Sequence, residues 1–255
     1  MLDNPNIGTY AFTVQPFTED FTGRISWSHL GNVLLRCAQL HADSHNFGFG
    51  PMSRERLSWV FSRLSLKFDR RPATGEVFRV STWATDVQRG FTTRLFQVTD
   101  SEGSSYGWGH SIWALMHLDT RQPDDMQRLL GNGFRDVLVP TVGFPITGQP
   151  RMRVRGTEPI ATRTVHYTDL DVNGHLNSIR SIDMLLDLFP KEHFLDDGLQ
   201  RIDMAYAHEC FFGDELAFLC DEFLPDGEGS QHSYNLEMRR ADGQAAVRAH
   251  LAFKA

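Results

Sequence analysis

The chain has 255 residues, of which 41% are hydrophobic and 22% are charged, a composition typical of a soluble globular protein with a buried core. Its formal net charge of -7 and its pI near 5.9 argue against general nucleic-acid binding. No run of apolar residues approaches the ~18 that a membrane span requires.

The cysteines and the N-terminus predict a location. Cys37, Cys210 and Cys220 are few, odd in number and widely spaced, which favours a reducing compartment and no disulfide framework. The first ten residues carry neither the basic nor the hydrophobic part of a secretory signal, and no transit-like segment rich in Arg and Ser precedes the first apolar stretch. We therefore expect a cytoplasmic protein. Neither a CxxC nor an HExxH motif occurs, so we expect no metal site and no cofactor.

The first half predicts one strand, one long helix and four further strands. Residues 10–14 are strand-like, and Ser28 is a predicted N-cap. The helix that follows has an apolar face formed by Leu30, Val33, Leu34, Cys37 and Leu40. Because Cys37 lies on this face, we interpret it as a core residue. The strands that follow are rich in β-branched and aromatic residues and are separated by turn signals, at residues 59–68, 76–85, 92–99 and 106–118.

Residues 121–159 differ in composition from both flanks. Five prolines interrupt this stretch, and several glycines lie between them. It predicts a mostly irregular connector with a short helix near residues 124–130.

The second half repeats the order of the first. A strand at 162–167 precedes an apolar helical stripe from Ile179 to Phe189 that Pro190 ends. Four strands follow, at residues 199–211, 215–223, 233–240 and 245–253, with a hairpin turn at Asp242-Gly243. This order predicts a duplication and an α+β fold. We place the domains at 1–122 and 161–255, joined by a connector at 123–160.

Polar residues occupy every second position just before the second predicted helix: Asp169, Asp171, Asn173, His175 and Asn177. In an extended segment alternate side chains project to one side, so Asp171, Asn173 and His175 can converge. Together they supply a base or nucleophile, a hydrogen-bond donor and a titratable group. The alternative is an ordinary turn with a helix cap, since Asp, Asn and Gly favour turns.

With these residues in view, the chain resembles the bacterial-type acyl-acyl-carrier-protein (acyl-ACP) thioesterases, which have two tandem hotdog domains, each a long helix wrapped by an antiparallel sheet. The segment from Asp169 to Asn177 is similar to the family's D-L-D-x-N-x-H-V-N, and Tyr206 to Cys210 is similar to its Y-x-x-E-C. In the first half the resemblance rests on Leu57-Ser-Trp-Val60, Arg63, Asp69-Arg-Arg-Pro72, Gly75-Glu76 and Thr82-Trp83.

The chain departs from the family pattern on the helix after the motif. Ser178, Ser181 and Met184 stand where related proteins usually have Asn, Tyr and Trp. These departures affect the fit of the acyl chain and the identity of the substrate more than the chemistry.

The resemblance implies hydrolysis of the fatty acyl-ACP thioester, with a site formed by Asp171, Asn173, His175 and Glu209 and with Cys210 beside it. In one scheme Asp171 or Glu209 activates water or attacks directly, while Asn173 and His175 position the carbonyl. In the other scheme Cys210 is the nucleophile, His175 is its base and Asn173 orients the base.

We favour the carboxylate scheme. A neighbouring carboxylate raises the pKa of a thiol, so we expect Glu209 to suppress the thiolate of Cys210. In a regular strand the two side chains also point to opposite faces. We interpret Asp169 as a turn residue and leave His166, His208 and His250 as structural or exposed.

The resemblance also implies partners, namely the acyl carrier protein and a fatty acyl chain, with no nucleic acid and no membrane. A monomer and a homodimer are both open. Because the carrier protein is acidic, docking needs a local basic surface. The candidate residues are Arg151, Arg153, Arg155 and Arg163 in one group, and Lys67, Arg70 and Arg71 in another; scattered solubilising charges are the alternative.

The first half lacks the Asp-x-Asn-x-His motif and has only Ser26-Trp-Ser-His-Leu30 at the equivalent helix start. We predict that it has lost catalysis and binds the acyl chain. Three other functions stay open: an acyl-CoA thioesterase, a hotdog dehydratase and a non-catalytic acyl-binding module.

Overall fold

The computed structural model describes residues 4–88, 90–126, 129, 133–223 and 232–254. The chain forms two compact units. The first unit comprises Met1–Leu64 and Arg71–Thr147, and the second unit comprises Ser65–Arg70 and Gly148–Ala255. The division between residues 147 and 148 falls within the predicted connector. The domain limits at 122 and 160 stay a prediction.

The first unit combines one long helix with an antiparallel sheet. Its strands follow the order β1-β3-β4-β5-β2, and the β1–β3, β3–β4 and β4–β5 pairs are antiparallel. Its elements are β1 (Gly8–Thr13), α1 (Trp27–Ser44), α2 (Phe49–Arg54), β2 (Leu57–Phe68), β3 (Val77–Gln88), β4 (Phe91–Asp100) and β5 (Ser105–His117), followed by a 3-10 turn at Phe134–Val137.

The second unit repeats this topology. Its strands follow the order β6-β8-β9-β10-β7, which matches β1-β3-β4-β5-β2 element for element. This match agrees with the predicted duplication and confirms the α+β fold with antiparallel sheets. Its elements are β6 (Ala161–Thr164), α3 (Arg180–Leu186), β7 (Leu199–Tyr206), β8 (Glu215–Phe223), β9 (His232–Arg240) and β10 (Ala245–Phe253), with 3-10 turns at Tyr167–Asp169 and Lys191–Asp197.

Helix α1 is the core helix of the first unit. Its N-cap is Ser26, whose Oγ accepts a hydrogen bond from the backbone N–H of His29 at 3.2 Å, so the prediction of Ser28 was wrong by one half-turn. Cys37 is fully buried on the inner face, and burial raises the pKa of its thiol to about 12. Gly109 on β5 allows close approach of the helix, since a Cβ there would lie 3.3 Å from Cδ1 of Leu34.

Several elements differ from the sequence-based prediction. Helix α2 was not predicted, although Pro51 lies in its first turn, where a missing N–H costs nothing. Helix α3 has only 7 residues, shorter than its apolar stripe suggested. Strand β7 ends at Tyr206, well before residue 211. The predicted helix near 124–130 lies partly outside the described residues. Among the described helices, none combines the length and the apolar character needed to cross a bilayer.

Arg71 is a buried structural residue of the first unit. Its guanidinium donates to the carboxylate of Asp20, to the backbone carbonyl of Ile25 at 2.8 Å and to Oγ1 of Thr22 at 3.2 Å, and its Cζ lies 5.1 Å from the ring centroid of Trp27. Its side chain is only 2% exposed. The prediction that Arg71 belongs to a basic docking surface was therefore wrong.

Candidate active site

The loop before α3 is anchored by Asp169, which is completely buried. One carboxylate oxygen, Oδ1, lies 3.3 Å from Arg163 Nη2 and 3.4 Å from Arg180 Nε. The other, Oδ2, accepts the backbone N–H of His166 at 2.9 Å. The backbone carbonyl of Asp169 accepts the N–H of Asn177 at 2.8 Å. Asp169 therefore fixes both ends of the loop.

Asp171 opens a tight turn that brings the motif residues together. Its Oδ1 accepts the backbone N–H groups of Asn173 at 2.8 Å and of His175 at 3.1 Å. The turn closes through an Asp171 N–H bond to the His175 carbonyl at 2.7 Å. Gly174 has φ +77°, a conformation that favours glycine. We expected an extended segment here, whereas the structure has a turn, in which Nδ2 of Asn173 lies 3.5 Å from Oδ2 of Asp171.

His175 and Glu209 meet although they are far apart in the sequence. Nδ1 of His175 lies 3.4 Å from Oε1 of Glu209, and the Phe211 ring packs edge-on against the imidazole with centroids 5.1 Å apart. Within the described part of the chain, Nε2 of His175 makes no hydrogen bond. Since Glu209 occupies Nδ1, Nε2 is the nitrogen left to meet a substrate. Phe211 was not predicted, because a lone aromatic residue after a motif carries no distinctive signal.

Main-chain contacts join the loop to the segment after β7. The N–H of Leu176 donates to the Cys210 carbonyl at 2.8 Å, and the Tyr206 hydroxyl donates to the Ser178 carbonyl at 2.9 Å. Burial raises the pKa of Tyr206 far above its usual value, so its hydroxyl stays a neutral donor. Because the contact at position 178 is made by the backbone, the departure from the family pattern there does not remove it.

Cys210 lies beside the site, but its thiol is buried. The residue is 2% exposed, whereas the Glu209 side chain is 45% exposed. Burial, and secondly the charge of Asp214, raise the pKa of the Cys210 thiol to about 11, so it is protonated at neutral pH. Since β7 ends at Tyr206, strand alternation does not explain why Glu209 is exposed and Cys210 is buried, so that reason for the carboxylate scheme was wrong. The expected cause of the raised thiol pKa was also wrong, because burial and Asp214 raise it rather than Glu209.

The other predicted residues take separate roles. His166 and His208 are exposed. His250 is buried, with its Nδ1 3.0 Å from Oδ1 of Asn235. Arg163 also lies 3.5 Å from Asp187, so its charge is already shared between two acids.

An apolar cavity of about 190 Å³ lies in the first unit, between α1, α2 and the sheet. Its apolar walls include Leu35, Ala38, Phe47, Met52, Trp59 and Phe134. A dry cavity of roughly 150 Å³ can hold a benzene molecule. This cavity therefore has room for an alkyl segment of about six carbons.

An open groove on the second unit is lined by four arginines, Arg151, Arg153, Arg239 and Arg248, which we call the arginine groove. Two of them share one carboxylate, because Glu237 lies 2.7 Å from Arg239 and 3.0 Å from Arg248. Within the described residues, neither Arg151 nor Arg153 forms an ion pair. The groove therefore has a local excess of positive charge.

Comparison with known families gives matches in both halves of the chain. A family model described as the acyl-ACP thioesterase N-terminal domain matches residues 8–130. A second, described as the acyl-ACP thioesterase C-terminal domain, matches residues 156–255.

Solved structures and curated relatives agree with these matches. The crystal structure of an acyl-ACP thioesterase from Bacteroides thetaiotaomicron has a TM-score of 0.88 and is 38% identical, over 98% of each chain. The 12:0-ACP thioesterase from Umbellularia californica has a TM-score of 0.84 at 19% identity, over 98% of this chain and 94% of that one. The chloroplastic acyl-ACP hydrolase FATB2 of Cuphea viscosissima is 26% identical over 230 residues, which are 87% of this chain and 55% of the relative. The chain thus spans about half the length of this curated relative.

Proposed function

The chain belongs to the acyl-ACP thioesterase family, and from this premise we propose that it hydrolyses the thioester of fatty acyl-ACP, releasing a free fatty acid and the carrier protein. The observation that carries the proposal is the carboxylate of Asp171, fixed by two backbone N–H groups beside the His175–Glu209 pair. A cytoplasmic location and a monomeric or homodimeric state stay predictions.

The geometry supports a hydrolytic step in which carboxylates handle the proton. Asp171 or Glu209 removes a proton from water as the water oxygen bonds to the thioester carbon. The Asn173 amide donates to the carbonyl oxygen as it gains negative charge. His175, whose Nδ1 faces Glu209, positions that carboxylate. The carbon–sulfur bond then breaks, and the pantetheine thiol leaves with the proton. Direct attack by a carboxylate, followed by hydrolysis of the anhydride, is the variant of this scheme.

Free-thiol release tests the proposed function. The substrates are ACP and CoA thioesters with chains from octanoyl to stearoyl. We expect release from ACP esters at a higher kcat/KM than from the matching CoA esters. A preference for CoA esters would assign the chain to acyl-CoA hydrolysis, and silence across the panel would contradict hydrolysis altogether.

Cys210→Ala should keep kcat within about threefold of the wild type, because a buried, protonated thiol is not a nucleophile. Steady-state thiol release from the preferred ACP ester measures this. Ala also fills most of the buried space, so circular dichroism should show an intact fold. Loss of activity in a folded Cys210→Ala protein would restore the thiol scheme.

We propose that the arginine groove binds the acidic carrier protein. The support is the charge of Arg151 and Arg153, which form no ion pair within the described residues. They line an open groove together with Ala207 and His208, which directly precede Glu209 in the sequence. The competing group of Lys67, Arg70 and Arg71 is weaker, since Arg71 is buried. In the first group, Arg163 contributes less than Arg151 and Arg153, because it is paired with Asp169 and Asp187.

The double variant Arg151→Glu and Arg153→Glu should raise KM for acyl-ACP by about tenfold or more and leave kcat unchanged, because like charges then face the carrier. An uncharged N-acetylcysteamine thioester should be hydrolysed as before. Arg155→Glu is the matched control, since Arg155 is exposed but lies outside the lining of the groove. If Arg155→Glu raises KM as much as the double variant does, the effect comes from overall charge and not from the arginine groove.

We propose that the apolar cavity of the first unit binds the acyl chain. The support is its apolar lining and its size, together with the family membership of the chain. The Asp-x-Asn-x-His motif occurs only in the second half, which supports separate roles for the two units.

A further inference from the structure

The cavity of the first unit contains a buried arginine. Arg94 on β4 is 8% exposed and lines the cavity together with His41 of α1. Its Nη1 donates to Nδ1 of His41 at 3.1 Å and to Oγ1 of Thr82 at 3.3 Å. Its Nε and Nη2 form no hydrogen bond to any residue that the structure describes. These nitrogens are therefore donors in need of an acceptor.

His41 positions Arg94 without neutralising it. Nε2 of His41 donates to the backbone carbonyl of Asn6 at 3.0 Å, which leaves Nδ1 to accept the bond from Arg94. Burial, and secondly the charge of Arg94, lower the pKa of His41 to about 4. The imidazole is therefore neutral around pH 7. Its hydrogen bonds hold the guanidinium in one orientation at the cavity wall.

The guanidinium of Arg94 is a buried charge. No carboxylate among the described residues forms an ion pair with it. Burial lowers its pKa to about 10, so the guanidinium remains positively charged at neutral pH. A buried cation is costly unless its donors are satisfied. A plain alkyl chain that filled the cavity would displace water from Nε and Nη2 and offer no acceptor in return.

We propose that Arg94 selects acyl chains that carry a hydrogen-bond-accepting oxygen, as in a hydroxyacyl or oxoacyl group, within the segment that occupies this cavity. The inference rests on the proposed thioesterase function and names the substrate class of that reaction. An oxygen on the chain replaces the lost water and satisfies the free donors of Arg94. An unmodified chain is disfavoured once it is long enough to reach the guanidinium, because it leaves charged donors unsatisfied.

Wild-type selectivity is the first test. Octanoyl-, decanoyl- and lauroyl-ACP are compared with matched esters that carry a hydroxyl or oxo group at the β-carbon, at mid-chain or at the ω-carbon. We expect at least one oxygenated ester to exceed its parent in kcat/KM by about 10- to 100-fold, as for a hydrogen bond to a charged group. If the parent esters are hydrolysed and no oxygenated ester is preferred, the inference is wrong and the proposed function stands. If no ester is hydrolysed, the result contradicts the proposed thioesterase function.

A binding measurement keeps the inference testable without turnover. Free hydroxy and oxo fatty acids should raise the Tm of the wild-type protein more than the unmodified acids of equal length. Equal shifts across the series would contradict selection by Arg94.

Arg94→Met should reverse the preference, because Met is apolar and fills similar space. We expect kcat/KM to rise for parent esters and to fall for the preferred oxygenated ester. Arg79→Met is the matched control, since Arg79 is an exposed arginine on β3 that does not line the cavity. An unchanged ratio in a folded Arg94→Met protein would overturn the proposal.

Discussion

Replacing Asp171 with Asn should lower kcat for acyl-ACP hydrolysis by roughly 10³-fold, within the range of a lost acid–base group. Asn retains an oxygen that can accept the backbone N–H groups of Asn173 and His175, so the turn should persist. The substitution removes only the negative charge of the Asp171 side chain. Single-turnover hydrolysis of the preferred ester measures the effect on the chemical step.

Two comparisons make the Asp171 result specific. Asp183→Asn changes a carboxylate on α3 that pairs with Arg180 and does not contact the turn, and it should leave kcat near the wild-type value. Circular dichroism should show the same fold for both variants. If Asp171→Asn keeps more than a tenth of the activity, the proton-accepting role passes to Glu209, and Glu209→Gln becomes the decisive variant.

Asp169→Asn should destabilise the protein by about 3 kcal/mol, the cost of breaking a buried charge pair by removing one partner. The carboxylate is completely buried and contacts Arg163, Arg180 and the N–H of His166. An amide cannot serve all three donors. Urea unfolding followed by circular dichroism measures the loss, and activity should fall only as far as the loop loses its order.

Asp187→Asn is the control for the Asp169 prediction. Asp187 also contacts Arg163, at 3.5 Å, but its side chain is 70% exposed. Surface ion pairs contribute about 0–1 kcal/mol, so the control should scarcely move the urea midpoint. Equal destabilisation by the two variants would show that burial of Asp169 is not the reason for its contribution to stability.

The order of elements could be predicted from the sequence because each strand shows local patterning. Strands β8 and β10 begin and end where turn signals and β-branched runs placed them. The repeated order of helix and strands also indicated the duplication, which the matching strand order of the two units supports. Asp171, Asn173 and His175 were found through a short motif, in which all three residues are close in the sequence.

The rest depends on contacts between distant residues. The sequence around Arg71 does not indicate that its side chain is buried against Asp20, some 50 residues away. The Arg94–His41 pair joins a strand to a helix, and Arg94 forms no ion pair with a described carboxylate. No window of sequence displays either fact. Strand β7 continues as a strand-like sequence past Tyr206, yet the chain leaves the sheet there because residues 207–210 turn to meet the loop of His175.

Several of the bonds that shape the loop from Asp169 to Ser178 involve at least one peptide group. Asp171 accepts from two N–H groups, Leu176 bonds to the Cys210 carbonyl, and Tyr206 bonds to the Ser178 carbonyl. Side chains such as Val172, which is 98% exposed, take no part in them. Such a loop should tolerate substitutions at these exposed positions and keep its geometry. It also leaves positions 172 and 178 open to engineering of the surroundings without rebuilding the site.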